Sequence, residues 1–94
     1  MTPVLVTGPD TPLDASWVEA RSAAEVERHA RAGRTVVVTL TGDLTSQLAA
    51  AAVFAWLGAR VFRTGHEEQV RQALDMTESL AGRRPPALAR RGLA

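Results

Sequence analysis

The chain has 94 residues, of which 46% are hydrophobic and 22% are charged, and it contains no cysteine. This length favours a single small domain, and the lack of thiols excludes disulfides and thiolate metal sites. The first ten residues lack the basic start and long apolar run of a signal peptide, and no run of 18 apolar residues follows. We therefore expect a soluble, cytoplasmic protein without membrane contact.

Charge is divided unevenly along the chain. Residues 1–82 carry seven arginines and ten carboxylates, a net charge of −3, whereas residues 83–94 carry four arginines and no acid, a net charge of +4. We expect residues 1–82 to form one α/β domain and residues 83–94 to be a basic tail without fixed structure. Nucleic acid is a disfavoured partner, because the body is acidic and no aromatic residue lies between the tail arginines.

The first third of the chain predicts two strands and a helix. Residues 3–8 form an apolar, β-branched run closed by glycine, which is typical of a buried strand. Residues 17–20 predict a second, weaker strand. Ser22 and Glu25 have the spacing of a capping box, so a helix should begin at residue 23 and extend to about Ala32.

The middle of the chain predicts a βαβ unit. The apolar centre of residues 35–40 is unbroken, which indicates a strand buried on both faces, as in a parallel sheet. Asp43 or Thr45 can cap an alanine-rich helix over residues 46–57, and residues 60–64 form the next strand. The crossover between these two strands should be right-handed.

A last helix should cover residues 66–81 and present one apolar stripe. Its members are Val70, Ala73, Leu74, Thr77 and Leu80. Together these elements predict an α/β fold: a small, mainly parallel sheet of three or four strands with three helices.

The run L-A-A-A-A-V-x-A-W-x-G-A-R-V-x-R, followed by a helix with A-L-x-M, resembles the C-terminal βα units of dihydropteroate synthase, a pterin-binding family. The resemblance implies a fragment of a (β/α)8 barrel. The last strand of that family carries an arginine and a histidine that bind phosphate. Arg63 falls on the arginine, Gly65 stands where the histidine should be, and His66 follows one place later.

The resemblance is degenerate and partial. This sequence has no lysine, no asparagine, no D-P-G and no S-R-K segment, all of which the family uses to hold its pterin. A complete barrel needs about 250 residues. We therefore expect no synthase activity, and no catalytic residue, metal site or cofactor is predicted.

Threonine and glycine follow three predicted strands, at Thr7-Gly8, Thr41-Gly42 and Thr64-Gly65. Ligands of parallel sheets bind at the carboxyl ends of strands, where backbone N–H groups and helix N-termini favour anions. One hypothesis is therefore a module that binds a small phosphate, another anion or a pterin phosphate. Its residues would be Arg63, Thr64, Gly65, His66, Thr41 and Gly42. The alternative is ordinary turn chemistry, with Asp43 only a cap.

The alanine-rich helix carries Phe54 and Trp56, which one small sheet cannot bury together. The resemblance also implies an interface here, because the last helices of that family pack across a subunit boundary. The main hypothesis is a non-catalytic, self-associating protein, a homodimer, with a structural or regulatory role through protein contacts. The alternative is that Trp56 fills the core of a monomer.

Overall fold

The computed structural model describes residues 4–82. The predicted tail and Pro3 lie outside this range. The described chain forms four strands and three helices in the order β1 (Leu5–Thr7), β2 (Val18–Glu19), α1 (Ala23–Arg31), β3 (Val36–Thr39), α2 (Leu44–Leu57), β4 (Val61–Arg63) and α3 (Glu67–Leu80). None of these helices is long and apolar enough to span a membrane.

The four strands form one sheet in the order β1-β4-β3-β2, and every neighbouring pair is parallel. The predicted α/β fold is therefore confirmed. The strands β2, β3 and β4 are consecutive neighbours joined by α1 and α2, as in successive βα units of a barrel. Strand β1 pairs with β4, so the first and last strands lie side by side, as they do where a barrel closes.

The main core lies between the sheet and the three helices. Val36, Val38 and Phe62 belong to one cluster with residues of all three helices, which places those helices on a single face of the sheet. Val37 and Val61 alternate with these residues and are also buried, on the opposite face. The prediction that the third strand is buried on both faces is thus confirmed.

The loop after β1 passes over the face that the helices leave open. Arg63 follows Phe62 in β4 and therefore projects to that face. Its Nη2 donates a hydrogen bond to the carbonyl of Pro9. The connection from β1 to β2 contains no helix.

Helix α2 begins two residues earlier than predicted, because Asp43 is its N-cap and accepts a 2.8 Å hydrogen bond from the Ser46 amide. Gly58 ends the helix in the left-handed region, with φ of 115°. A Cβ atom at this position would lie 2.6 Å from the Cβ of Ala30 in α1. Both the backbone conformation and the approach of α1 therefore require glycine here.

The predicted stripe of α3 is wrong at its C-terminal end. Val70, Leu74 and Thr77 are buried, but Leu80 is 73% exposed. The buried face turns to Glu78 instead, which is only 5% exposed. A carboxylate occupies this interior position because it forms an ion pair with Arg60.

Candidate functional site

The carboxyl ends of the strands bring several polar side chains to one edge of the sheet. Thr7, Arg63 and Thr39 are neighbours across β1, β4 and β3. Because the strands are parallel, the loops that follow them lie at this same edge. This is the edge at which the anion hypothesis places its residues.

A buried polar network joins two of these loops. The Thr64 hydroxyl donates to Oε1 of Gln47 and accepts a 2.9 Å hydrogen bond from the His66 amide. The side-chain amide of Gln47 donates a 2.9 Å bond to the carbonyl of Gly42. Thr64 has no exposed surface, so within the described residues its hydroxyl serves to hold the loops together.

Gln47 is a residue that sequence reasoning did not identify. It lies four positions after the Asp43 cap and is buried in the first turns of α2, where the following residues are apolar. A single glutamine at the polar start of an apolar helix is a weak indication of a buried network residue, because glutamine at such a position is usually exposed. Only the position of Thr64 on the neighbouring loop explains its burial.

A cavity of about 460 Å³ lies beside the carboxyl ends of β2 and β3. Arg63 and Thr41, two of the predicted anion-site residues, line it together, whereas Thr64, Gly65 and His66 do not. The remaining lining residues were not predicted as site residues, apart from Phe54, which was expected at an interface. They are Glu19, Ala20, Arg21, Val38, Thr39 and Phe54.

Arg63 is the most unusual group in this cavity. Its Nη2 is bonded to Pro9, but its Nε is buried and has no hydrogen-bond partner among the described residues. A buried donor without an acceptor is unfavourable, and the full positive charge of the guanidinium raises that cost. The cavity also contains Arg21 and Glu19, so its three formal charges leave an excess of one positive charge.

Asp43 and His66 mark the starts of α2 and α3, two of the three helices that begin at this edge. The backbone hydrogen bond from Ser46, followed by the bond from its side chain, lowers the pKa of Asp43 below 3.8. His66 is the N-cap of α3 but makes no side-chain capping bond. In residues 4–82, no group of three or more His, Cys, Asp or Glu side chains is placed to hold a metal ion.

The two predicted interface residues lie in different surroundings. Phe54 is partly buried, packs against the main core and lines the polar cavity. Trp56 is 56% exposed. The sheet thus covers only one of the two aromatic rings well, and Trp56 is the one left at the surface.

Trp56 borders an apolar depression of about 370 Å³ between α2 and α3, which we call the α2–α3 groove. Within residues 4–82, no charged residue lines it. Val53 and Leu80, which also line it, are 52% and 73% exposed. The full lining is Ala52, Val53, Trp56, Leu57, Thr77 and Leu80.

A buried ion pair lies beside this groove. Nη1 of Arg60 is 2.8 Å from Oε1 of Glu78, and Nη2 is 3.1 Å from Oε2, so the contact is bidentate. The two side chains are 10% and 6% exposed. Sequence reasoning missed both residues, because an arginine before a strand and a glutamate 18 positions later carry no local pairing signal.

Comparison with known proteins gives one group of relatives. Proteins named inactive dihydropteroate synthase 2 from Mycobacterium tuberculosis (strain H37Rv) and Mycobacterium bovis are each 45% identical to this chain over 62 residues. The protein of that name from Mycobacterium leprae is 44% identical over 62 residues. The predicted partial, degenerate resemblance to dihydropteroate synthase is confirmed.

The similarity covers 66% of this chain but only 20–21% of each relative, so the chain spans about a fifth of their length. No protein-family profile matches the chain. No solved structure matches it either.

Proposed function

We propose that this chain is a non-catalytic protein related to dihydropteroate synthase, and that it associates with a second copy of itself through the α2–α3 groove. The observation that carries the proposal is the exposure of Trp56 beside an apolar groove that no charged side chain of residues 4–82 lines. Its role would be structural or regulatory, through protein contacts.

Two facts support the absence of catalysis. The relatives of known name are called inactive. In addition, the sequence contains neither lysine nor asparagine, two residue types with which the synthase family holds its pterin. The polar side chains that line the cavity at the carboxyl edge belong to arginine, threonine and glutamate residues. These two facts together support a non-catalytic function.

A second copy of the chain is the occupant that the groove favours. A twofold interface brings the same surface of each protomer together, so the surface must be complementary to itself. In the α2–α3 groove, the indole ring of Trp56 lies beside an apolar depression. In a twofold dimer, the Trp56 ring of each copy can therefore insert into the depression of the other. An uncharged lining also avoids placing like charges opposite each other.

The expected contribution of Trp56 is large enough to control association. A buried tryptophan removes on the order of 200 Å² from water, and Trp56 is about half exposed before association. Covering the remaining half would contribute about 2–3 kcal/mol per protomer at about 25 cal/mol per Å². We therefore expect Trp56 to be the hot spot of the interface.

The test is the solution mass of the protein by light scattering over a range of concentrations. The wild type should form a dimer, and Trp56→Ala should raise the dimer dissociation constant about 1,000-fold, because each of the two copies loses about 2 kcal/mol. Met76→Ala is the matched control, because Met76 is 67% exposed on α3 but does not line the groove.

Three results would contradict the proposal: a monomeric wild type, equal weakening by both variants, or association that requires residues 83–94. The last would place the contact in the C-terminal segment. A form ending at Gly82 should therefore associate as the full chain does.

The cavity at the carboxyl edge favours a second candidate function, the binding of a small phosphate, another anion or a pterin phosphate. The specific observation is the buried Nε of Arg63, which has no hydrogen-bond partner within residues 4–82 and lies in a cavity wall with an excess of one positive charge. An anionic oxygen would supply the missing acceptor through a charge-assisted hydrogen bond. Thr41 and the nearby Gly42 would contribute neutral donors, and Gly65 and His66 lie on the adjacent loop.

Thermal unfolding with and without millimolar phosphate or sulfate tests this second function. The melting temperature should rise with anion in the wild type and remain unchanged by anion in Arg63→Met. Arg31→Met, which removes an exposed arginine of α1, should keep the full anion response. A wild type that phosphate, sulfate and a pterin phosphate all fail to stabilise would exclude the site.

A further inference from the structure

We infer that the buried Arg60–Glu78 ion pair is a positioning pair: it sets the spacing of α2 and α3 and thereby holds the α2–α3 groove in the shape that receives a second copy. This inference rests on the proposed self-association. It concerns two residues that do not line the groove, so its test can be separated from the test of Trp56.

The contacts of Arg60 connect both sides of the groove. Its guanidinium binds both oxygens of Glu78 on α3, and its Nη2 also lies 3.4 Å from the carbonyl of Ala55 on α2. Ala55 immediately precedes Trp56, and Glu78 immediately follows Thr77. One planar group, held at the start of β4, therefore touches the residue next to each wall of the groove.

The chemistry of this contact is directional, whereas the surrounding contacts are not. A bidentate arginine–carboxylate pair has a fixed planar geometry, and its burial excludes water that would otherwise compete. The residues of α2 and α3 that line the groove include Ala52 and Thr77, whose van der Waals contacts have no preferred direction. Without the pair, the last turn of α3, which carries Leu80, would no longer have a fixed distance from Trp56.

A structural role alone makes a different prediction. Replacing a buried ion pair by apolar side chains of similar volume is often neutral for stability or even stabilising. A pair present only for stability can thus be exchanged without consequence for association. A positioning pair cannot be replaced by apolar side chains without an effect on association, because the replacement removes its directional contact.

The experiment compares the double variant Arg60→Met/Glu78→Leu with the wild type as full chains. The double variant should unfold cooperatively, with a melting temperature within a few degrees of the wild type, whereas its dimer dissociation constant should rise about tenfold or more. The control is Arg31→Met/Glu27→Leu, which removes an exposed pair of α1 with 3.1 Å separation. That variant should associate as the wild type does.

A second variant keeps the inference testable if the double variant does not fold. Glu78→Asp retains the charge but shortens the side chain by one methylene, so it should pull α3 from its place and weaken the dimer while the protein remains folded by circular dichroism. Wild-type association in a folded double variant, or in Glu78→Asp, would overturn the positioning role. A monomeric wild type would instead refute the proposed self-association.

Discussion

Two arginines on one strand segment, three residues apart, have opposite environments. Arg60 lies before β4 and places both terminal nitrogens on Glu78, in an interior shared with α2 and α3. Arg63, the last residue of β4, binds one backbone carbonyl and leaves a buried Nε without a partner among the described residues. The first arginine therefore serves the fold, and the second has binding capacity that residues 4–82 do not satisfy.

The two arginines have different environments because they lie at opposite ends of the sheet. At the amino end, helices α2 and α3 terminate over β4, and Glu78 completes the contact. At the carboxyl end, the loops begin new helices, and a cavity remains between them. The comparison makes four predictions, from the largest expected effect to the smallest.

Arg60→Met should have the largest effect on stability. It removes the partner of Glu78 and leaves a carboxylate that is 6% exposed without its counter-charge. We expect the free energy of unfolding in urea to fall by about 3–5 kcal/mol. Arg31→Met, at an exposed ion pair, should change it by less than about 1 kcal/mol. Equal effects of the two variants would show that burial does not distinguish the pairs.

Gln47→Leu should have the second-largest effect on stability, because it removes the hydrogen bonds of the Thr64–Gln47–Gly42 network at the carboxyl edge. The Thr64 hydroxyl and the Gly42 carbonyl would lose their partner in the interior. A decrease of about 1–3 kcal/mol in the free energy of unfolding is expected by urea denaturation. Gln72→Leu on the exposed side of α3 is the matched control. If both glutamines can be replaced without loss, the network does not stabilise the loops.

Arg63→Met should be nearly neutral, with a change of less than about 1 kcal/mol. It removes one hydrogen bond to Pro9 but also removes a buried donor for which the described part of the chain offers no acceptor. The direct comparison with Arg60→Met, measured by urea unfolding without phosphate or sulfate, is the sharpest test of the contrast between the two arginines. A loss as large as that of Arg60→Met would show that both serve the fold equally.

Asp43→Asn should have the smallest effect, a small loss of stability at neutral pH that disappears at acid pH. The Ser46 hydrogen bonds lower the folded-state pKa of Asp43 below 3.8. The carboxylate thus contributes stability above its unfolded pKa and loses it as the pH falls through the folded pKa. The asparagine can still cap α2 but does not titrate.

The melting temperature of Asp43→Asn should therefore fall less steeply than that of the wild type below about pH 4. Asp14, whose pKa is lowered by its hydrogen bonds from Ser16, remains in both proteins. Its contribution cancels in the comparison. Identical pH profiles would show that the Asp43 cap has no linked titration.

The sequence by itself determined most of the local structure. The apolar run around Val37 predicted a strand buried on both faces, and Ser22 predicted the start of α1. Asp43 or Thr45 was expected to cap α2, and Asp43 is the cap. These features depend on hydrophobic periodicity, backbone conformation and hydrogen bonds within a few residues. Such information is contained in neighbouring positions, so it can be read along the chain.

The candidate sites could be predicted only in part for the same reason. Arg63 and Thr41 were expected together and line one cavity, because parallel strands place their carboxyl ends at one edge. Phe54 and Trp56 were expected to share an interface, yet only Trp56 lines the α2–α3 groove. Their separation depends on how α2 is rotated against β3, which the helical period alone does not specify.

Only the tertiary structure decided the long-range partners. In the folded chain, β1 pairs with β4, and Gln47 accepts a hydrogen bond from Thr64. On α3, Glu78 is buried and Leu80 is exposed. Each of these outcomes depends on groups that are distant in sequence and meet only when the helices dock on the sheet. Local sequence propensity does not predict such contacts, because the free energy of a buried ion pair or a buried amide depends on its partner and on the exclusion of water.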